Sequence, residues 1–582
     1  MSRAKKPSGK RFGYYPGDSP LNNVVSYIEA HAGAFPQRVA LRWADPAALR
    51  AWNGDLSVRL PVQDITYERF VAGIRSAAGG LSGLGIGKGD RVIIFLPMSV
   101  LMYTAMFAVQ RLGAIAVFLD SWARRDQLGA SAACVAPKAM ISHKAAFELI
   151  RDVPEFAGMK QRIIAGPSDG GPFSARLEQW IELGGEAPIA AVASEFTALI
   201  TFTTGSSGTP KGANRTHRFL AAQHEALAAA LPYRDDDLDL PVFPIFSLNN
   251  LASGVTTILP AIDLASPSDR DPAALVGQIQ HERVTCATLS PSLFRNVARL
   301  CLERGLTLPS LRRVVTGGAP VSRDNVSDFR KVAPKAEIWV LYGSTEVEPM
   351  AHIEAREMLG LAPNPDPEIV EEGVNVGRIS EGLRYKFIRI VRGPIDLKVT
   401  PWDRLEVKPG EVGEFVVTGD HVCRDYYNNP GAFQKSKILD AKGIVWHRTG
   451  DLARLDDQGY LWMVGRVHNV IERRGRYVFP VRAEVVLKKL PFIRQGAYLG
   501  ITDPRLGERT AVVVELPAGA PAPDQVLREI QRLFDKNGIP VDSFYVADEI
   551  PMDPRHHSKV EYDVLRKDIL ERGGRDYLRY KG

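Results

Sequence analysis

The chain has 582 residues, 45% hydrophobic and 24% charged, and its 73 basic and 67 acidic side chains leave a net charge of only +6. This is ordinary globular composition with length for more than one core, which excludes a disordered or fibrous chain. The charge is too mild to argue for a nucleic-acid partner. Part of the excess sits in residues 1–19, where Arg3, Lys5, Lys6, Lys10 and Arg11 cluster. A solvated, flexible tail is expected there, with weak peripheral attraction to an anionic membrane surface as the sharper alternative. Cys134, Cys286, Cys301 and Cys423 are scattered without metal spacing, and the first residues lack an apolar core. Together these imply a reducing, cytoplasmic setting and no secretory signal.

In chain order, a helix is expected over Asn22–Ala32, then a strand pair, Val39–Trp43 and Leu56–Leu60, around a polar loop. Ile65-Thr66-Tyr67-Glu68 enters a helix that runs to Leu84. The Gly-rich stretch Gly85–Asp90 precedes a strand instead of following one, so it is a turn and not a dinucleotide loop. The apolar run Val92–Val109 approaches membrane-spanning length, but Pro97 and Ser99 interrupt it. It reads as a buried strand (Arg91–Leu96), a turn and a buried helix reaching Arg111. A strand at Ala114–Leu119 ends at Asp120, and helices and short strands alternate to Ile164. This βαβ rhythm predicts an α/β fold of open, mostly parallel sheets covered by helices.

Phe196–Phe202 reads as a strand and 218–231 as a helix. Between them lies Thr203-Thr204-Gly205-Ser206-Ser207-Gly208-Thr209-Pro210-Lys211-Gly212. Glycines that free backbone N–H groups, hydroxyl donors and a lysine make a phosphate cradle; taken alone, the stretch could be a plain Gly/Ser turn. Pro210 before the lysine excludes a Walker A loop, and Thr209 excludes a nucleophile elbow. Pro241–Phe246 and Val255–Leu259 read as strands, Asp271–His281 as a helix, Thr285–Leu289 as a strand and Pro291–Gly305 as a helix. Arg313–Thr316 is a strand ending in Gly317-Gly318-Ala319-Pro320, and Glu337–Leu341 a strand ending in Tyr342-Gly343-Ser344-Thr345-Glu346. Binding chemistry after successive strands is the placement a nucleotide site requires. Beyond Val374 short strands (Ile388–Val391, Leu405–Lys408, Glu414–Val417, Leu461–Met463) suggest a β-rich subdomain. From Val467 a smaller α+β domain follows. The expected division is a tail (1–19), a large domain (20–466) and a small mobile domain (467–582).

These motifs, with Thr449-Gly450-Asp451, Gly465-Arg466 and Pro551–Lys559, occur in the order and spacing of the adenylate-forming superfamily of acyl-CoA synthetases, peptide-synthetase adenylation domains and luciferases, which the chain resembles. The resemblance covers nearly the whole chain. It implies ATP and Mg²⁺ as cofactors, a small-molecule carboxylic acid as substrate, and CoA as second substrate. Thr203, Thr204, Gly205, Ser206, Ser207, Gly208, Thr209 and Lys211 would clamp the outer phosphates. Gly317, Gly318, Ala319 and Pro320 would lie against adenine. Tyr342 would stack on the base beside Gly343 and Ser344, Thr345 would hold the α-phosphate, and Glu346 would bind the metal. Asp451 and Arg466 would hold the ribose. Lys559 would stabilise the charge of the adenylation step, although a solvated lysine is the plain alternative. His468, two residues past Arg466, marks the family's hinge.

Four departures bear on the second half-reaction: Ser247 where many acyl-CoA synthetases place histidine, His468, Glu472 in place of lysine, and Ser558 in place of glycine. Asp239-Leu240-Pro241, Phe243-Pro244, 317–321 and Asp553-x-Arg555-His556-x-x-Lys559 resemble bacterial β-lactone synthetases of olefin formation. Gly475, retained where CoA-using relatives form the pantetheine tunnel, and the loop Asp120–Arg124 argue the other way. The expectation is therefore an acyl-CoA synthetase acting on an apolar acid, with β-lactone synthesis second. A carrier-protein partner or a non-catalytic nucleotide binder are the remaining readings.

Overall fold

The computed structural model describes residues 15–119, 125–167, 170–204, 210–264, 266–361, 368–370, 373–552 and 560–572, without the side chains of Thr203, Thr204 and Arg572. The elements that matter for the site are, in chain order, helices α1 (Val25–Ala34) and α2 (Val100–Arg111), and strands β1 (Thr197–Thr204) and β2 (Pro210–Thr216). Next come helices α3 (His217–Ala230) and α4 (Pro244–Ser253), then strands β3 (Arg313–Gly317), β4 (Glu337–Ser344) and β5 (Val347–Glu354). Strands β6 (Lys437–Leu439), β7 (Val445–Leu455), β8 (Leu461–Arg466), β9 (Ile471–Arg473) and β10 (Arg476–Val478) and helix α5 (Tyr562–Arg572) complete the set.

A seven-stranded sheet runs in the spatial order 175–176, 161–164, 139–142, 91–95, 115–118, β1, β2. All its pairs are parallel except β1–β2. A second sheet of 14 strands has a parallel part, with β3 beside β4. It then continues through β5 into antiparallel strands that include β7 and β8. The β-rich region expected after Val374 is thus an extension of the second sheet, because Val374–Ile379 pairs with both β5 and β8. One apolar core takes Val92 and Ala116 from the first sheet and Leu41 and Leu259 from the second, with helix Tyr67–Gly83 and α2 between them. Fully burying each large side chain of such a core contributes roughly 1.5–3 kcal/mol. The run Val92–Val109 is therefore a core strand and helix, started by Ser99, whose side chain accepts from Met102 N–H. No described helix is long and apolar enough to cross a membrane.

Local chemistry moved four expected elements. Asp45 caps a short helix, Pro46–Ala51, by accepting from the N–H groups of Ala47 and Ala48, and Pro46 pre-sets its first turn. The strand partner of Val39–Ala44 is consequently Val62–Thr66, not Leu56–Leu60. Pro241–Phe246 is not one strand: Leu238–Pro241 is the strand, and Pro244 occupies the first turn of α4, which ends at left-handed Gly254. Likewise 402–405 is a helical turn and the strand expected at Ile388–Val391 lies at Arg384–Ile388.

After Val467 a separate five-stranded sheet forms, with β10, β9, 507–515 and 495–503 in order and 543–547 alongside 507–515. Asp542 ties it together: it accepts from Arg473 Nε (2.8 Å) and Nη2 (2.5 Å) and from Thr510 N (2.8 Å). Burial opposes its charge, but Arg473 and Thr510 outweigh it and hold the carboxyl down at about 2. A depressed carboxyl stabilises above its unfolded value, and that contribution is lost as pH falls through the folded value. Asp542→Asn is expected to cost ~1 kcal/mol at pH 7, the shift being discounted for solvent screening of a partly exposed pair. The gap to the parent protein should shrink between about pH 4 and pH 2, as read by denaturant melts at each pH; a gap that does not change with pH would remove the ion pair as its cause.

Candidate functional site

The phosphate-loop stretch is built as a hairpin, not as strand, loop and helix. β1 and β2 pair antiparallel, with Thr203 opposite Lys211 and Thr204 opposite Pro210. Lys211 therefore stands on a strand, and α3 begins only at His217, capped by Thr216. Gly205, Ser206, Ser207, Gly208 and Thr209 lie outside the described residues, as do Asp120–Arg124 and 553–559 with Ser558 and Lys559.

Tyr426 joins the hairpin to the Y-G-S-T-E segment. Its hydroxyl donates to Glu346 Oε1 (2.8 Å), and Lys211 Nζ lies 5.9 Å from its ring centre. Arg215, buried on β2, donates through Nη2 to the Thr345 carbonyl (2.7 Å). The backbone N–H of Cys423 donates to the Glu346 carbonyl (2.7 Å). Cys423's carbonyl accepts from the buried ammonium of Lys437 on β6, which stands 5.2 Å from the Tyr426 ring centre. Burial works against charge on Glu346, but His447, Lys437 and the Tyr426 hydroxyl outweigh it and hold the carboxyl below its ordinary range. Desolvation lowers the Lys211 ammonium from its usual value, with Glu346 opposing. An ionised carboxylate and a lysine thus share one tyrosine.

The other half of the site gathers around Asp451. Thr449-Gly450-Asp451 lies inside β7, not in a plain turn, and Gly450 has a φ of 71°. Asp451 Oδ2 accepts from the Tyr342 hydroxyl (2.5 Å) and Oδ1 from Arg466 Nη1 (2.7 Å), the residue opposite it on β8. Burial, with the Asp451 charge, raises the Tyr342 phenol well above its usual value. A carboxylate has about four acceptor sites, so two remain here for further hydroxyl donors. Gly317 pairs with Leu341, and a Cβ on it would stand 2.0 Å from the Leu341 carbonyl oxygen. Gly318 follows at φ 87° with open space where a Cβ would be. Ala319 and the exposed Pro320 complete a small-residue ledge beside Tyr342, Gly343 and Ser344 on β4.

His468 is exposed, in the turn after β8. Desolvation by the neighbouring elements, and then Arg466, lowers its imidazole from the usual histidine value. Asp563 and Arg566 on α5 act on it electrostatically. Ser247 is fully buried on α4. Glu472 on β9 offers its N–H to Glu508 Oε2 (2.6 Å). Gly475 has a local explanation. It and Arg474 form the two-residue turn between β9 and β10, and both have positive φ, 71° and 52°. A type I′ hairpin turn needs such residues, so Gly475 carries no argument for CoA. Gly475→Ala is expected to lower stability by ~1 kcal/mol, the cost of a Cβ in the left-handed region. AMP release should be unchanged, and a fall in CoA-dependent turnover without loss of stability would restore the tunnel reading.

A family model described as AMP-binding enzyme matches residues 28–427 of this chain. The chain belongs to the AMP-binding enzyme family. It is an AMP-forming ligase. This family member is 31% identical, over 93% of its length and 97% of the relative's, to an olefin beta-lactone synthetase of Stenotrophomonas maltophilia. A second olefin beta-lactone synthetase, from Xanthomonas campestris pv. campestris, is 29% identical over 91% of this chain and 95% of its own. A long-chain-fatty-acid–CoA ligase of Mycobacterium tuberculosis is 24% identical over 86% and 93%. The fold matches ATP-bound MatB from Rhodopseudomonas palustris with a TM-score of 0.74 at 20% identity, covering 94% of this chain and 99% of that one.

Tyr426, Lys437, Arg215 and Cys423 were not singled out from the sequence. Only the doubled aromatic Tyr426-Tyr427 before Asn428-Asn429-Pro430 could have drawn attention to any of them.

Proposed function

We propose that the enzyme activates a 2-alkyl-3-hydroxy carboxylic acid as its acyl-adenylate and closes it to a β-lactone. The observation that carries the reading is the 31% identity to an olefin beta-lactone synthetase over 93% of the chain. Gly475, which had favoured CoA, is accounted for by its turn.

ATP would lie along the ledge of Gly317, Gly318, Ala319 and Pro320, with Tyr342 against the base. The ribose hydroxyls would donate to the two free acceptor sites of Asp451, with Arg466 holding that carboxylate in place. The hairpin of Thr203 to Lys211 would receive the outer phosphates, and Thr345 the α-phosphate. The donor set fits Mg²⁺, which takes one or two carboxylates and completes its shell with water and phosphate oxygens: Glu346 is an ionised carboxylate beside the hairpin. When bound, that ion would neutralise phosphate charge. In the first step a carboxylate oxygen of the acid bonds to the α-phosphorus and the bond to pyrophosphate breaks. Lys559 would stabilise the charge that grows on these oxygens. In the second, the substrate's own 3-hydroxyl oxygen bonds to the acyl carbon, the bond to AMP breaks, and the hydroxyl proton passes to solvent. The small domain from residue 467 would turn about His468 between the steps.

A second reading is acyl transfer to CoA on an apolar acid. The similarity to a long-chain-fatty-acid–CoA ligase supports it. Product analysis separates the two, using ATP, Mg²⁺, fatty acids and 2-alkyl-3-hydroxy acids with and without CoA. The proposal expects CoA-independent AMP release with the hydroxy acids alone and a lactone product. AMP release that requires CoA and yields a thioester would overturn it.

A further inference from the structure

Two buried cations beside Glu346 lack the counter-ion that burial ordinarily demands. Lysine and arginine are almost never fully buried unless paired, because a lone charge taken out of water is costly. Arg448 on β7 follows the rule: it is buried, and its Nη2 stands 2.7 Å from Glu414 Oε2. Lys437 on β6, 2% exposed, does not. Its ammonium donates to the Cys423 carbonyl and to His447 Nδ1 (3.1 Å), and it forms no ion pair among the described residues. Burial, and then Lys437, push the His447 imidazole down to about 3, so that partner is neutral. Arg215 on β2, 6% exposed, donates to the Thr345 carbonyl and leaves its Nε without a partner. It too forms no ion pair among the described residues.

Both cations are built around one point. Arg215 holds the carbonyl that precedes Glu346 in the chain. Lys437 holds Cys423, whose N–H holds the carbonyl of Glu346 itself (2.7 Å). Lys437 and Lys211 stand 5.2 and 5.9 Å from the centre of the same ring, that of Tyr426. Glu346 acts electrostatically on Lys211, Lys437 and Arg215 alike. Asp425 adds to it at Lys437, and Glu348 at Arg215, from beyond ion-pair distance. Positive charge held away from water and left without a contact ion makes a standing potential for an anion.

We propose that Lys437 and Arg215 are positioning residues for the outer phosphates of ATP. They act through the protein, without touching the phosphates, and complete with Lys211 a positive field around the hairpin. The inference rests on the placement of those phosphates proposed above.

Inorganic tripolyphosphate, with a chelator present, is the probe, because it carries the anion without nucleoside or metal. Adenosine is its counterpart without the anion. Calorimetry on the full chain is expected to show tripolyphosphate binding that weakens about tenfold in Lys437→Gln, the order of effect of a unit charge ~10 Å from an anion. That change keeps a donor for the Cys423 carbonyl and removes the charge. Arg215→Met should weaken tripolyphosphate comparably, and adenosine should bind both variants as it binds the parent. Unchanged tripolyphosphate affinity in either variant, or equal loss of adenosine and tripolyphosphate, overturns the inference. Lys211→Met separates this from the reading beneath it. If Lys211→Met alone loses tripolyphosphate, the phosphates stay at the hairpin and the wider field is gone. No binding by the parent, or binding that survives all three changes, removes the phosphates from the hairpin and the inference with them.

Discussion

Glu346→Gln is expected to cut pyrophosphate release from acid and ATP by ~10²–10³-fold, the scale for removing one preorganised electrostatic group from a reacting centre. The change keeps the shape and one amide oxygen but removes a full negative charge that accepts the Tyr426 hydroxyl. That charge sits among Lys211, Lys437 and Arg215, each of which interacts with it electrostatically. Two consequences should separate a metal role from a structural one. The magnesium concentration for half-maximal rate should rise steeply, since a neutral amide is a poor ligand for a hard divalent cation. Binding of ATP in the absence of magnesium should be preserved or improved, because the γ-phosphate end no longer meets a carboxylate. A melting temperature that falls, with an unchanged magnesium requirement, would reduce Glu346 to an anchor for buried cations.

The parts of this molecule that could be read from sequence are those where a residue type reports on its own backbone. Asp271–His281 has the bounds expected for it, because its proline, acidic first turn and terminal histidine are local signals. The run around Val92 declared its own interruption through Pro97 and Ser99. What could not be read is pairing. An apolar run says strand without naming its neighbour, so the hairpin of β1 and β2 looked like a strand entering a helix, and Lys211 was assigned to a loop. Thr449-Gly450-Asp451 could be matched to a motif but not to a partner: Gly450 lets β7 carry Asp451 opposite Arg466. Lys437 was invisible for another reason: lysines are expected in water, and this one spends its burial on a backbone carbonyl beside the site. Tyr426 reaches Glu346 across 80 residues of chain, a contact no local pattern encodes.

Lys559→Ala should divide the reaction in two. Formation of acyl-adenylate from acid and ATP is expected to fall ~10²–10³-fold, whereas consumption of a preformed acyl-adenylate should keep most of its rate. The charge argument is specific to the first step. There an anionic carboxylate attacks an anionic phosphate, and a lysine delivered beside both oxygens would lower a barrier that like charges raise. In the proposed second step the hydroxyl would attack a carbonyl carbon and AMP would depart with its charge already formed, leaving the same lysine less to stabilise. Lys559 lies outside the described residues, but its flanks do not. Met552 and Val560 pair with each other through an antiparallel bridge, and both pack on the core of 495–503, 507–515 and α5. Both flanks of Lys559 are thus tied to the sheet that follows His468 and would move with it. That makes the hinge testable by the same assay. If Lys559 is delivered by rotation, restricting the turn with His468→Pro should depress adenylation and lactone closure to different extents, since each would need its own pose. Equal loss of both half-reactions in Lys559→Ala, or survival of both, would mean that this lysine does not take part in adenylation.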